Sequence, residues 1–231
     1  MKNEKLEQCI ELNKFLKSSG LVKLTWGNAS AMSEDKLQMA IKPSGIDVFN
    51  LHPLDLSIIE ISTGEQVSGL KKSVDTEIHL EIYRSFPETK FIVHNHSKFA
   101  TSFAQAGQEI PILGTTHADY FPGNIPIVPC LSQDEYDNYE SSLGVKTVKT
   151  IRSLKNTPNN IRAILLENHG VLLFSDSLKI IKESAIVLEE IAEMAFYTSL
   201  INPNRKMTQN DHNLFKKHFD RKNGKNKYYG Q

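Results

Sequence analysis

The amino-acid sequence predicts a single α/β domain. Strand-type and helix-type segments alternate along it, the pattern of helices packed on a sheet. No linker-like stretch and no internal repeat divides its 231 residues. At 39% hydrophobic and 23% charged residues, the composition is that of an ordinary globular chain. Surface scaling gives a chain of this size about 70% burial of its unfolded surface, enough for a core without disulfides or a structural metal.

Taken in order, residues 2–18 predict a helix, because Leu6, Cys9, Ile10, Asn13 and Leu16 fall at helical spacing and Gly20 stops the run. Short β-type segments follow at 22–26, 37–42 and 56–61, with turn chemistry between them. Residues 75–85 predict a helix with Asp75 as N-cap and Pro87 just past its end. Residues 91–96 read as a buried strand, 97–106 as a helix, and 125–128 as a short strand. Residues 136–155 read as helix, and 163–168 and 170–175 as two strands around His169-Gly170. The longest helical pattern runs from Ser177 to Leu200, capped by Ser177 and ended near Pro203. The tail from 204 holds one short amphipathic stretch and ends Tyr228-Tyr229-Gly230-Gln231. The strand spacing is too irregular for a doubly wound nucleotide fold. The G-x-G-x-x-G and G-x-x-x-x-G-K-[ST] patterns are both absent.

Lysine plus arginine equal aspartate plus glutamate, at 27 each. That balance leaves no electrostatic footprint for nucleic acid or an anionic membrane. The mildly basic run 216–227 reads as a solvated face. No stretch approaches the ~20 apolar residues of a membrane span, and the N-terminus lacks the apolar core of a signal peptide. Cys9 and Cys130 make neither a disulfide framework nor a C-x-x-C site. The expectation is a soluble, reduced, cytoplasmic protein with no nucleic-acid or membrane partner.

His94-Asn95-His96 stands inside an apolar run. On a strand, residues i and i+2 share a face about 6.5–7 Å apart, so two imidazoles can chelate one cation. Burying both as packing alone leaves several ring nitrogens to satisfy. A third ligand would come from His52, His79, His117, His169, His212 or His218. His169 sits at a strand end, and His79 is placed to share a helix face with Asp75. Three histidines with an open position make a catalytic site that polarises a carbonyl or hydroxyl oxygen. The donor set suits Zn2+, Mn2+ or Co2+.

Lys42-Pro43-Ser44-Gly45 is either a plain turn or an anion site, where a lysine, a serine hydroxyl and backbone N–H groups converge near Asn28. Lys71-Lys72-Ser73 adds donors. The loop Thr115-Thr116-His117-Ala118-Asp119-Tyr120 carries an imidazole, an acid and a phenol, all proton carriers, or is simply solvated. The terminal aromatics have a purpose only if the tail is docked.

Together these segments resemble the class II aldolase/adducin superfamily, and within it the L-ribulose-5-phosphate 4-epimerases. The resemblance is carried by LTWGNAS (24–30), IKPSG (41–45), DTEIH (75–79), IVHNHS (92–97), AQAGQEIP (104–111), GTTHADYF (114–121), ENHG (167–170), AIVLEE (185–190) and terminal KYYGQ. It implies a three-layer α/β/α domain assembled as a cyclic homotetramer with active sites between subunits. It implies metal histidines at His94, His96 and His169, with Asp75 beside or on the metal. Phosphate and substrate binding fall to Asn28, Lys42, Ser44, Gly45, Ser73, Val74 and Thr115. The implied acid/base pair is Asp119 with Tyr229 reaching from a neighbour on the tail of about 204–231, and His218 helps line that site.

This chain has Ser73-Val74 where the epimerases carry two serines, so one hydroxyl is lost while the Val74 N–H remains. It has His-Asn-His for the usual His-Thr-His. The implied reaction inverts C4 of L-ribulose 5-phosphate to give D-xylulose 5-phosphate, in arabinose- or ascorbate-type routes. A sugar-phosphate aldolase of fuculose- or rhamnulose-1-phosphate type is the alternative, but such enzymes carry glutamate at the Asp75 position and lack GTTHADYF. A non-enzymatic adducin-like module would have eroded metal ligands, whereas all three histidines stand here.

Overall fold

A computed structural model describes residues 1–225 and 227–229. Its elements are α1 (Asn3–Ser18), β1 (Asn28–Met32), β2 (Gln38–Ile41), β3 (Ser57–Glu60), β4 (Gln66–Ser68), α2 (Thr76–Ser85), β5 (Phe91–Asn95), α3 (Lys98–Gln105), α4 (Thr115–Tyr120), β6 (Ile127–Val128), α5 (Tyr139–Ser153), α6 (Pro158–Ile161), β7 (Ala163–Leu166), β8 (Gly170–Ser175), α7 (Leu178–Ile201) and α8 (Gln209–Asn223).

The strands form one eight-stranded sheet in the order β4-β3-β2-β1-β5-β8-β7-β6. Every pair is antiparallel except β6 with β7. Alternation along the strands feeds two cores. Phe91 and Val93 of β5 pack with Ala29, Leu173 and residues of α1, α3 and α7. Ile92 packs with Met39, Leu172, Phe174 and residues of α2 and α5 on the other face. Helices therefore cover both faces, the expected three-layer arrangement. Among the described residues no helix is long and apolar enough to cross a membrane.

Several expectations are corrected. Residues 22–26 form no strand. Leu24 and Gly27 adopt left-handed backbone, with φ of 49° and 71°, and the strand starts only at Asn28. At Gly27 a Cβ would lie 2.6 Å from the His94 carbonyl oxygen, so the chain passes too close to β5 for any side chain. The edge strand β4, absent from the sequence reading, pairs with β3 through a register shift. The expected strand at 125–128 shrinks to Ile127–Val128, with Ile125 bridging Ile110. The helix expected from 136 begins at Tyr139, after a 3-10 segment, Gln133–Asn138. The polar loop around Asp119 is the short helix α4. The tail's amphipathic stretch is the 15-residue α8, which packs Phe215 against Ile112 and Ala118. Gly230 and Gln231, at the end of the terminal motif, lie outside the described residues.

Candidate functional site

The antiparallel pairing of β5 with β8 builds the site. His94 sits opposite Leu172, and its Nδ1–H donates to the Val171 carbonyl at 3.0 Å. That fixes the tautomer and leaves Nε2 as a lone pair. The His96 Nε2 lies 3.0 Å from it. The tight turn between β7 and β8, with Asn168 at φ 61°, delivers His169 to the same point. Ring centroids are 4.8 Å (His94–His96), 4.8 Å (His94–His169) and 5.1 Å (His96–His169) apart, and the three ligand atoms lie within 4.8 Å of one another. Gly170 is required by this packing, because a Cβ there would meet His96 Cδ2 at 2.6 Å.

Burial pushes the His94 ring down to about 3 and lowers His96 and His169 as well. Three neutral imidazoles with converging lone pairs fit a divalent first-row ion. Tyr139, at the start of α5, places its hydroxyl 3.3 Å from His169 Nδ1, a partner that no sequence pattern announced.

Asp75 stands in the N-cap position of α2 but makes no capping bond. Its Oδ2 accepts a 2.6 Å hydrogen bond from Asn28 Nδ2. The carboxylate is turned into the site instead, because β1 pairs with β5 and sets Asn28 opposite His94. Burial opposes ionisation of Asp75, but the neighbouring imidazoles and the Asn28 amide outweigh it and leave the carboxyl below its ordinary value. Asn28 also donates to Ser73 Oγ at 3.2 Å. Lys42 is 3% exposed, and its Nζ donates to the carbonyls of Thr25 and Pro43. Burial lowers its pKa, with Asp75 acting in the opposite sense. The Ser44 N–H bonds the Lys71 carbonyl and ties the two lysine-bearing loops together. Ser44 and Gly45 are exposed, and Val74 is 66% exposed. Thr115 opens α4 and is half-buried.

The other histidines take other roles. His79 is fully buried beneath the site, its Nδ1 2.7 Å from Ser30 Oγ, and burial pushes it down to about 4. His117 is buried with Nε2 2.9 Å from the Gly123 carbonyl, where it closes the turn after α4. His52 and His212 are exposed.

A second group gathers where α8 crosses α4. Asp119 Oδ1 lies 3.1 Å from His218 Nδ1, and Arg221 Nη2 donates to Asp119 Oδ2 at 3.2 Å. The Arg221 guanidinium lies 4.4 Å from the centre of the Tyr229 ring. Asp119, His218 and Tyr229 thus come together within one chain. Among the described residues no hydrogen bond or ion pair links them to the histidine trio. Arg221 belongs to the run read as a solvated face; only the fold shows its charge turned onto Asp119.

A sequence model of the family described as "Class II Aldolase and Adducin N-terminal domain" matches residues 7–196. The curated "Probable L-ribulose-5-phosphate 4-epimerase UlaF" of Mycoplasma pneumoniae is 40% identical over 234 residues, spanning 100% of this chain and 96% of that protein. A solved L-fuculose 1-phosphate aldolase has a TM-score of 0.79 at 24% identity and covers 95% of this chain and 98% of its own. For the L-fuculose-1-phosphate aldolase of Thermus thermophilus the TM-score is 0.68 at 20% identity, over 89% of this chain and 100% of that one. These two structures share the fold.

Proposed function

The chain belongs to the class II aldolase and adducin family, and from that premise we propose that it is an L-ribulose-5-phosphate 4-epimerase, an isomerase interconverting L-ribulose 5-phosphate and D-xylulose 5-phosphate. The observation that carries this reading is the 40% identity to a protein of that name over the whole chain, tail included.

C4 of the substrate is one bond too far from the C2 carbonyl to bear an acidic hydrogen, so simple deprotonation cannot invert it. Cleavage and re-formation of the C3–C4 bond can. Asn28, Lys42, Ser44, Gly45, Ser73, the Val74 N–H and Thr115 hold the phosphate and the sugar. His94, His96 and His169 would hold a divalent first-row cation such as zinc, manganese or cobalt, with Asp75 beside it. When bound, that cation supplies Lewis-acid stabilisation of the negative charge developing on the C2 and C3 oxygens. A base takes the C4 hydroxyl proton, the C3–C4 bond breaks, and glycolaldehyde phosphate turns while held by its phosphate. Re-addition through the other face needs a second proton carrier. Asp119 and Tyr229 take these two roles, and His218 lines their group.

In this reading the active site is composite, as the family resemblance implies, and the grouping of Asp119, His218 and Tyr229 on one chain makes them a single half of it. One subunit of a cyclic homotetramer presents this group, with the tail of about 204–231, to a neighbour's histidine trio. The test is to incubate zinc-loaded protein with L-ribulose 5-phosphate. D-xylulose 5-phosphate should form without accumulation of glycolaldehyde phosphate, and a chelator should abolish turnover. Absence of D-xylulose 5-phosphate, with cleavage of L-fuculose 1-phosphate, would make the protein an aldolase.

A further inference from the structure

Arg162 occupies a position that suits glycine. It lies between α6 and β7 with φ of 62°, left-handed backbone that L side chains rarely adopt. What its side chain does there gives the reason. The planar guanidinium donates through Nη1 to the Tyr120 carbonyl at 2.8 Å and through Nη2 to Asn223 Oδ1 at 2.8 Å. Asn223 in turn donates through Nδ2 to the Asp119 carbonyl at 2.9 Å and to the Phe219 carbonyl at 3.1 Å.

The carbonyls of Asp119 and Tyr120 end α4, where the helix itself supplies no partner. The forked guanidinium reaches two acceptors at once, which a lysine ammonium on a flexible stem does less rigidly. Three separate segments are thereby joined: the start of β7, the end of α4 and the end of α8. Asp119 is held at both ends, its carbonyl by Asn223 and its carboxylate by His218 and Arg221.

We propose that Arg162 and Asn223 form a clamp that positions Asp119 and the tail helix for proton transfer. They are positioning residues that touch no substrate. This rests on Asp119 being a proton carrier in the reaction proposed above. Strained backbone retained for a side-chain contact fits such a role.

The test uses the full-length metal-loaded protein with Arg162→Gly, Asn223→Ala, the double variant and Asp119→Asn. Arg162→Gly folds readily because glycine is at ease at this φ. Each single variant should lower kcat about 10- to 100-fold, the effect of a small misplacement of a reacting group. KM and bound metal should stay unchanged. The double variant should be no worse than the weaker single, since both break one clamp. Hydrogen exchange should quicken at the amides of α4 and α8 in all three. Unchanged kcat in Arg162→Gly, while Asp119→Asn is inactive, overturns the clamp. So do losses that multiply in the double variant. Full activity in Asp119→Asn instead removes the catalytic reading, and α4 and α8 exchange alone then decides the clamp, with wild-type rates overturning it.

Discussion

Asp75 and Val74 show how much one side chain's direction decides. Residue 75 has the sequence signature of an N-cap, yet Asn28 draws its carboxylate inward. Its neighbour Val74 points to solvent at 66% exposure while Ser73 is buried. If a phosphate is held here, Val74→Ser adds a hydroxyl donor and removes no packing. A hydrogen bond to a charged group contributes at most about 1.5–3 kcal/mol, and less where backbone N–H groups already bind. KM for L-ribulose 5-phosphate should fall with kcat little changed, since the phosphate does not react. A raised KM would show that the phosphate lies elsewhere.

Among the elements, α8 matters most to the proposed chemistry, because it carries His218 and Arg221. Its start is fixed by a capping box: Thr208 Oγ1 accepts from the Asp211 N–H at 3.2 Å, and Asp211 Oδ2 accepts from the Thr208 N–H at 2.8 Å. Thr208→Ala should cost about 1 kcal/mol of helix stability. Hydrogen exchange across 209–223 should accelerate accordingly, and Thr208→Ser should restore the wild-type rates. Equal exchange in all three proteins would mean that packing of Phe215 alone holds the helix.

For the whole molecule, the separation of the two groups makes assembly testable. His94→Ala removes a trio, and Asp119→Asn or Tyr229→Phe damages the group proposed to carry protons. Co-refolding His94→Ala with either of the others should restore activity, about a quarter of sites pairing two sound halves under random mixing in a cyclic tetramer. Asp119→Asn refolded with Tyr229→Phe should restore none, because both lesions fall in one group. Recovery in that last mixture would place the two residues in different half-sites. Acid stability is also a property of the whole chain. Burial brings His79 and His117 to about 4 in the folded protein, against about 6.5 unfolded. Between those values the unfolded chain takes up protons that the folded chain does not, so stability is complete above pH 6.5 and falls as the pH drops towards 4. Each group costs about 2 kcal/mol at pH 5. Urea unfolding at pH 7 and pH 5 should show at least the summed loss, and His117→Gln should reduce it by about 2 kcal/mol. A drop unchanged in the variant would mean that His117 is not the group responsible.

The sequence by itself determined what is local. Periodicity placed α1, α2, β5, α3, β7, β8 and α7 within a few residues, since the side chains that repeat along an element are the ones that bury it. It also put His94 and His96 on one face of a strand. Spacing left six histidines open for the third ligand, and only the family resemblance chose His169. Tertiary structure brings it there through the pairing of β5 with β8, a contact between residues far apart that no local pattern encodes. The segment 22–26 imitated a strand, while the approach of Gly27 to β5 made it a turn. The charges of α8 resembled any solvated face until packing on α4 turned His218 and Arg221 onto Asp119. Residue types and short spacings are written along the chain, but which side chains meet depends on which elements pack together, and that is decided only when the whole core closes.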